Sequence, residues 1–283
     1  MAKKITLSTD STADLGAMLY KKFDIRVIHF GIVIGDKEYR DGIDIKPENI
    51  YQAVEKQKIV PKTAAGTEED YKELFKETTK DGGQHIHISI SNKLSVARDN
   101  AIRVAKDFPN VYIVDSLSLS TGTGILCILA REMIDAGMDA KEIAKTLEAK
   151  AQKIQCSFVL DELKYMHRGG RCSAFKLFGA NLLRIHPELH MEKDGRLVQG
   201  KLFRGKYQNV VKNYTDYILE KFPNADKSFV FVTHTTMVDS ATEKQVEADL
   251  RAAGFQTIYN TAAGSVITTH CGRNCIGILF CEK

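Results

Sequence analysis

The segment Ile5-Thr-Leu-Ser-Thr-Asp-Ser-Thr-Ala-Asp-Leu15 joins a short β-branched run to a cluster of aspartate and hydroxyl residues. Its first half is typical of a buried strand, and Asp10, Ser11 and Thr12 are residue types that cap the start of a helix. The same arrangement recurs at residues 86–90, 111–114 and 229–232, which are followed by Ser91-Asn92, Asp115-Ser116 and Thr233-His234-Thr235. Strands that lead directly into helices predict an α/β fold.

The segments between these strands carry apolar residues at helical spacing. Tyr71 and Phe75 follow an acidic start, and similar patterns occupy residues 97–108 and 143–154. Strands that alternate with helices of this length predict parallel pairing, because a parallel crossover needs about a dozen residues or more. We therefore expect an N-terminal α/β domain with a parallel sheet over residues 1–155.

The pattern changes around Asn181. Residues 189–204 are typical of two strands joined by Asp194-Gly195, a pair that favours the type I′ turn of a β-hairpin. A helix at 206–222, a strand at 229–232, a helix at 240–253 and strands near 257 and at 276–280 follow. The sequence predicts a C-terminal α+β domain with a β-hairpin over residues 156–283.

The composition is that of an ordinary globular protein. The chain has 283 residues, of which 43% are hydrophobic and 27% charged, and its formal net charge is +4. The basic residues are scattered and not gathered into one stripe, which argues against nucleic acid as a partner. The longest apolar run, residues 125–130, is far shorter than the ~20 residues of a membrane span. Six cysteines without a CxxC pair indicate reduced thiols, and we expect a cytoplasmic location.

Gly169-Gly170-Arg171 is a candidate anion site. A flexible glycine turn before a helix brings free N–H groups and a fixed positive charge to one place, which suits a carboxylate or a phosphate. A solvated arginine on an ordinary loop explains the same motif. Serines at the predicted strand ends have two explanations as well, helix capping and ligand binding. They are Ser11, Ser91, Ser95 and Ser116.

His270 begins the segment His270-Cys271-Gly272-Arg273-Asn274-Cys275, which at first suggests a metal site. Zinc needs four ligands, and the nearest other histidine, His234, is not at a recognised spacing. His270 is therefore either a core or loop residue or a donor to a bound anion. The sequence contains no nucleophile elbow, P-loop or dinucleotide-binding motif, so we expect no cofactor and no metal.

A set of motifs spread over the whole chain resembles the DegV family. The motifs are residues 5–15 (ITLSTDSTADL), Val60-Pro61-Lys62-Thr63, residues 88–95 (ISISNKLS), Val114-Asp115-Ser116, residues 163–171 (LKYMHRGGR), residues 182–187 (LLRIHP), residues 201–204 (KLFR) and His270-Cys271-Gly272. The chain is similar to the fatty-acid-binding subunits of bacterial fatty acid kinases. The resemblance implies a two-domain α/β fold with a ligand cleft between the domains. A fatty acid would lie there with its carboxylate at polar groups and its tail in an apolar tunnel.

The resemblance also implies which residues meet the carboxylate. Thr63 and Ser95 match family positions whose hydroxyl groups would hydrogen-bond it. Arg171 and His270 match positions near the head group, and Arg204 matches a basic position after the hairpin.

The leading hypothesis is a non-catalytic carrier for a long-chain fatty acid. It would present the carboxylate to a separate kinase, which forms the acyl phosphate. A net charge of +4 would allow transient contact with an anionic membrane surface. Two alternatives stay open: an acyl hydrolase or transferase in which His270 activates Ser95, and an interaction module with a vestigial pocket.

Overall fold

The computed structural model describes residues 4–169, 184–236 and 238–283. The first half forms, in chain order, β1 (Ile5–Asp10), α1 (Gly16–Lys22), β2 (Ile25–Ile28), β3 (Gly31–Ile34), β4 (Lys37–Arg40), α2 (Pro47–Tyr51), β5 (Lys62–Ala64), α3 (Glu68–Thr79), β6 (Gln84–Ser89), α4 (Ala97–Ala105), β7 (Val111–Asp115), α5 (Thr121–Asp135) and α6 (Ala140–Ala151). The second half forms β8 (Ile154–Val159), α7 (Lys164–Gly169), β9 (Ile185–Met191), β10 (Leu197–Arg204), α8 (Tyr207–Lys221), β11 (Phe229–His234), α9 (Ser240–Ala252), β12 (Thr257–Ala262), α10 (Ser265–Cys271) and β13 (Ile276–Cys281).

The N-terminal sheet is parallel throughout, with the strand order β2-β1-β6-β7. Helices α3 and α4 cover one face, where Tyr71, Phe75 and Val104 form a small core. Helices α5 and α6 cover the other face. Every residue of β6 is buried, as expected for a strand with helices on both sides. The predicted parallel-sheet α/β domain is confirmed.

The C-terminal sheet is mixed, with the strand order β10-β9-β8-β13-β11-β12. Only β11 and β12 pair in parallel within this sheet, and the other neighbours are antiparallel. One face packs on α8 and α9 through Val159, Ile278 and Tyr214. The other face contributes Phe158 and Leu279 to the core that it shares with the N-terminal sheet. The predicted mixed α and β organisation of this half is confirmed.

Helix α5 lies between the two large sheets. It contacts β1 and β6 of the parallel sheet and β8 and β13 of the mixed sheet. This position explains the apolar run at residues 125–130, because a helix packed on most of its sides needs apolar residues all round. The predicted domain boundary at residue 155 falls inside β8, and a continuous core crosses it. The division at that residue therefore stays a prediction.

A third, small antiparallel sheet has the order β4-β3-β5 and was not expected from the sequence. Its strands have three or four residues, and β4 reads Lys-Glu-Tyr-Arg without an apolar alternation. Such a segment carries little strand signal. The sheet matters here because β5 carries Thr63.

The β9–β10 hairpin was predicted correctly, but its turn was not. A type I′ turn needs positive φ at both central residues, whereas only Gly195 of the Asp194-Gly195 pair has it, at +82°. The N–H of Gly195 donates to the carbonyl of Glu192 at 2.9 Å, and the N–H of Glu192 donates to the carbonyl of Arg196 at 2.8 Å. The connection is therefore a three-residue turn that ends on a left-handed glycine.

Candidate functional site

A cavity of about 530 Å³ lies between the two large sheets. This volume is within the usual range for small-molecule sites, about 300 to 1,000 Å³. Most of its wall is apolar, and examples are Phe30, Leu119, Phe158, Met166, Leu197 and Val266. The polar side chains that line it are Thr12, Thr63, Asn92, Lys93, Ser95 and His270.

The polar lining includes residues at the carboxyl ends of two adjacent parallel strands. Thr12 follows β1, and Asn92 and Ser95 follow β6. The two strand ends are joined directly, because the N–H of Ile90 donates to Asp10 Oδ2 at 2.9 Å. Ligands commonly bind at this edge of a parallel sheet, since strand ends and helix starts meet there.

Thr63 and His270 reach the cavity from different parts of the fold. Thr63 lies on β5 opposite Ile32, and His270 lies near the end of α10. The hydroxyl oxygen of Thr63 is 3.1 Å from Nε2 of His270. The structure thus brings Thr63, Ser95 and His270 to one cavity, although they are far apart in sequence.

Two buried carboxyl groups hold the start of α10. The N–H of Gly264 donates to Asp14 at 2.8 Å, and the N–H of Ser265 donates to Asp41 at 2.8 Å. Burial raises the pKa of Asp14 from 3.8 to about 8, although hydrogen bonds from Ser120 and Gly264 lower it. Burial also raises the pKa of Asp41. These carboxyl groups, both from the N-terminal half, position the helix that carries His270.

Gly272 ends α10 in a conformation that suits glycine alone. Its φ is +72°, and a Cβ atom there would lie 2.3 Å from the ring of Tyr165. The Tyr165 hydroxyl donates to Glu55 at 3.1 Å, so the ring has little freedom to move away. The glycine of the His270-Cys271-Gly272 motif therefore lets the chain leave the cavity wall beneath this ring.

The other predicted site residues do not join this group. Arg171 lies outside the residues that the structure describes. Arg204 is exposed at the far end of β10, where it pairs with Ile185. Leu197, at the start of the same strand, lines the cavity. Arg204 is seven positions further along the strand than Leu197, which corresponds to about 20 Å. Arg204 is not among the described residues that line this cavity, so the position near the head group that the resemblance implied for it has no support from the cavity wall.

Three polar residues of the cavity wall were not predicted from the sequence: Thr12, Asn92 and Lys93. Thr12 and Asn92 stand in the clusters that follow β1 and β6, where they were interpreted as helix caps. Their position after parallel strands was the available signal. In the described parts of the chain, no group of three or more His, Cys, Asp or Glu side chains is arranged to hold a metal ion.

Comparison with known proteins identifies the family. The family described as "Uncharacterised protein, DegV family" matches residues 4–283. The chain belongs to the DegV family. A DegV domain-containing protein of Caldanaerobacter subterraneus is 30% identical, over 99% of this chain and 100% of the relative. A Thermotoga maritima protein named "Fatty acid-binding protein" is 29% identical, over 97% of this chain and 96% of its own. The resemblance to the DegV family is confirmed.

Solved DegV structures have the same fold. A DegV family protein from Thermus thermophilus, described by its fatty acid binding, has a TM-score of 0.87 and 26% identity, with 99% of this chain and 100% of that chain covered. A DegV lipid-binding protein from Thermotoga maritima has a TM-score of 0.84 and 27% identity, with the same coverage. Within residues 4–169, 184–236 and 238–283, no helix combines the length and the apolar character needed to cross a bilayer.

Proposed function

We propose that this chain binds one long-chain fatty acid in the cavity between the sheets, with the carboxylate near Thr63, Ser95 and His270. The observation that carries the proposal is a cavity of about 530 Å³ whose wall is mainly apolar and also holds hydroxyl and imidazole groups. The names of the Thermotoga maritima and Thermus thermophilus relatives support the same class of ligand.

Tail burial supplies the affinity in this proposal. Each methylene group moved out of water contributes about 0.8 kcal/mol, so a long acyl chain gains far more than a few hydrogen bonds can add. The polar groups orient the ligand. Hydroxyl groups of Thr63 and Ser95 can donate to the carboxylate, and exposed Lys93 adds positive charge at the cavity wall. The resemblance implies that Arg171 adds a further positive charge near the carboxylate.

The contacts of Ser95 and His270 support binding over acyl hydrolysis. Ser95 Oγ accepts a hydrogen bond from the N–H of Ala97 at 3.2 Å. His270 Nε2 lies beside the hydroxyl of Thr63. A serine nucleophile needs its base within hydrogen-bond reach, and His270 is here engaged with a different hydroxyl. We expect no ester hydrolysis by the purified chain, and turnover that Ser95→Ala abolishes would favour the hydrolase alternative.

We also propose that the bound acid is presented to a separate kinase. Val96, next to Ser95, lines the cavity and is 61% exposed, which supports a carboxylate held near the protein surface. The partner would transfer the γ-phosphoryl group of ATP to the carboxylate, giving acyl phosphate and ADP. With hydroxylamine as a trap, acyl hydroxamate should form only when acid, ATP, this chain and the kinase from the same genome are combined. Equal yield without this chain would reject the presentation step.

Mass spectrometry of the denatured, purified protein tests ligand binding. Fatty acid should be recovered at near one molecule per chain, because an empty apolar cavity loses dispersion contacts. Leu119→Trp should reduce this yield by filling the cavity, whereas Leu202→Trp, at a partly exposed leucine outside the cavity wall, should not. A lipid-free wild-type protein that does not rebind palmitate would contradict the proposal.

A further inference from the structure

Thr12 has a buried hydroxyl group that no described group of the protein satisfies. It lies in the single helical turn Ser11–Ala13 after β1, and its side chain is fully buried. In the part of the chain that the structure describes, its Oγ1 has no hydrogen-bond partner. Most buried hydroxyl groups are hydrogen-bonded, because a buried donor without a partner is costly. Thr12 also lines the cavity. The cavity is therefore where a partner for this hydroxyl can lie.

The neighbours of Thr12 lie close to both segments that carry hydroxyl groups. On one side, Asp10 accepts from the N–H of Ile90, five residues before Ser95. On the other side, Ser11 Oγ accepts from the N–H of Phe30 at 3.2 Å. Phe30 leads into β3, which pairs with the strand that carries Thr63. Thr12 thus lies between the two segments from which the proposed head-group residues come.

We infer that Thr12 is a further head-group ligand, whose hydroxyl donates a hydrogen bond to the carboxylate of the bound fatty acid. This inference rests on the proposed function. An ionised carboxylate has about four lone-pair sites, so it can accept from Thr12 in addition to Thr63, Ser95 and His270. A hydrogen bond to a charged oxygen is stronger than one between neutral groups. The ligand supplies the partner that the buried hydroxyl lacks among the described residues.

Thr9 offers a matched control on the preceding strand. Its side chain is also fully buried, but its hydroxyl already donates to the carbonyl of Ile88 at 2.7 Å. Thr9→Val removes a satisfied hydrogen bond, whereas Thr12→Val removes an unsatisfied donor. In the lipid-free protein, Thr9→Val should lower the unfolding temperature. Thr12→Val should leave that temperature unchanged or raise it, which a purely structural threonine would not do.

The deciding experiment compares palmitate with hexadecanol, which keeps the tail and lacks the carboxylate. Delipidated wild type, Thr12→Val, Thr12→Ser and Thr9→Val are each titrated with both ligands. Thr12→Val should weaken palmitate binding by about ten- to a hundredfold and hexadecanol binding much less. Thr12→Ser should bind palmitate nearly as well as wild type, and Thr9→Val should keep the wild-type preference for the acid. Thr12→Ala replaces the valine variant if that variant does not fold.

Each other result contradicts the inference. An unchanged ratio of palmitate to hexadecanol affinity in Thr12→Val means that the hydroxyl of Thr12 does not meet the carboxylate. An equal loss of both ligands means that Thr12 contacts the tail. If wild type binds neither ligand, the proposed function itself fails and the role of Thr12 fails with it.

Discussion

The contact between Thr63 and His270 connects the small antiparallel sheet to helix α10 at the cavity wall. The two residues are 207 positions apart in the sequence, and only folding brings their side chains to 3.1 Å. Hydroxyl and imidazole groups can each donate to an anion or accept from a neighbour. With Nε2 protonated, His270 can donate to a carboxylate together with the hydroxyl of Thr63, so a bound acid can replace the hydrogen bond between them.

The hydroxyl of Thr63 should contribute to acid binding and little to alcohol binding. Thr63→Val keeps the side-chain shape and removes one donor to a charged group, so palmitate affinity should fall by about 5- to 150-fold, or about 1 to 3 kcal/mol. Calorimetric titration gives the affinity. Thr146→Val, at a partly exposed threonine on α6 that does not line the cavity, is the control and should bind like wild type. Unchanged palmitate affinity in Thr63→Val would remove Thr63 from the site.

Alanine substitutions at Arg171 and Arg204 should have different effects on ligand preference. If Arg171 faces the head group, as the resemblance implies, Arg171→Ala should narrow the preference for palmitate over hexadecanol. Arg204→Ala is the matched control, because this exposed arginine lies away from the cavity and should leave the preference unchanged. Titration of both variants with palmitate and with hexadecanol measures these preferences. An equal ratio in Arg171→Ala and wild type would show that Arg171 is not a head-group ligand.

At the scale of the elements, α10 determines how the two halves of the chain meet at the cavity. It is only seven residues long, yet six of them are buried, and its start is fixed by Asp14 and Asp41. Gly264 has no room for a side chain without crowding, because a Cβ atom would lie 3.2 Å from oxygen atoms of both carboxyl groups. A short helix of this kind depends on such tertiary contacts for its stability.

The raised pKa of Asp14 predicts a specific pH dependence. Between its ordinary pKa of 3.8 and about 8, the folded state binds a proton that the unfolded state releases, so this group lowers stability as pH rises. Asp14→Asn resembles the protonated side chain and does not titrate. In urea unfolding, the free energy of unfolding of the variant relative to that of wild type should therefore rise with pH up to about pH 8 and stay constant above it. A difference that is constant from about pH 5 to pH 9 would mean that Asp14 is not protonated in the folded state.

The elements differ in how far the sequence predicts them. Strands such as β1 and β6, and helices such as α3, have strong apolar periodicity, and the sequence predicted them. The small sheet lacks that signal, since β4 is polar and short. Thr12 was interpreted as a cap because the residue types that cap helices are also those that bind anions. The sequence could not place Arg204 relative to the cavity, because a hairpin motif does not specify which end of its strands meets the cavity.

At the scale of the whole molecule, the parallel sheet contains a buried polar chain between its strands and α3. Ser8 Oγ lies 2.7 Å from His85 Nε2 and 2.8 Å from His87 Nδ1. Burial lowers the pKa of His85 well below its ordinary value of 6.5, and the neighbouring His87 and Arg26 lower it further. The fold therefore holds His85 in its neutral form.

Neutral His85 makes the whole protein sensitive to acid. Below about pH 6.5 the unfolded state takes up a proton that folded His85 does not, so this contribution to stability is complete above that pH and lost as pH falls. His85→Gln removes the titrating group. It should lower the free energy of unfolding overall, but this free energy should fall less steeply than in wild type between about pH 6.5 and pH 5. Urea unfolding across this range measures both slopes. If the free energy of unfolding falls equally steeply with pH in the variant and in wild type, the acid sensitivity belongs to other groups.

A crystal structure of the chain with bound palmitate tests the central claim most directly. We predict elongated density through the cavity between the two large sheets, with the carboxylate within hydrogen-bond distance of Thr63 and Ser95 and the tail against apolar residues such as Leu119 and Phe158. A cavity that stays empty at saturating palmitate, or a ligand whose carboxylate lies at Leu119 and Phe158, would contradict it.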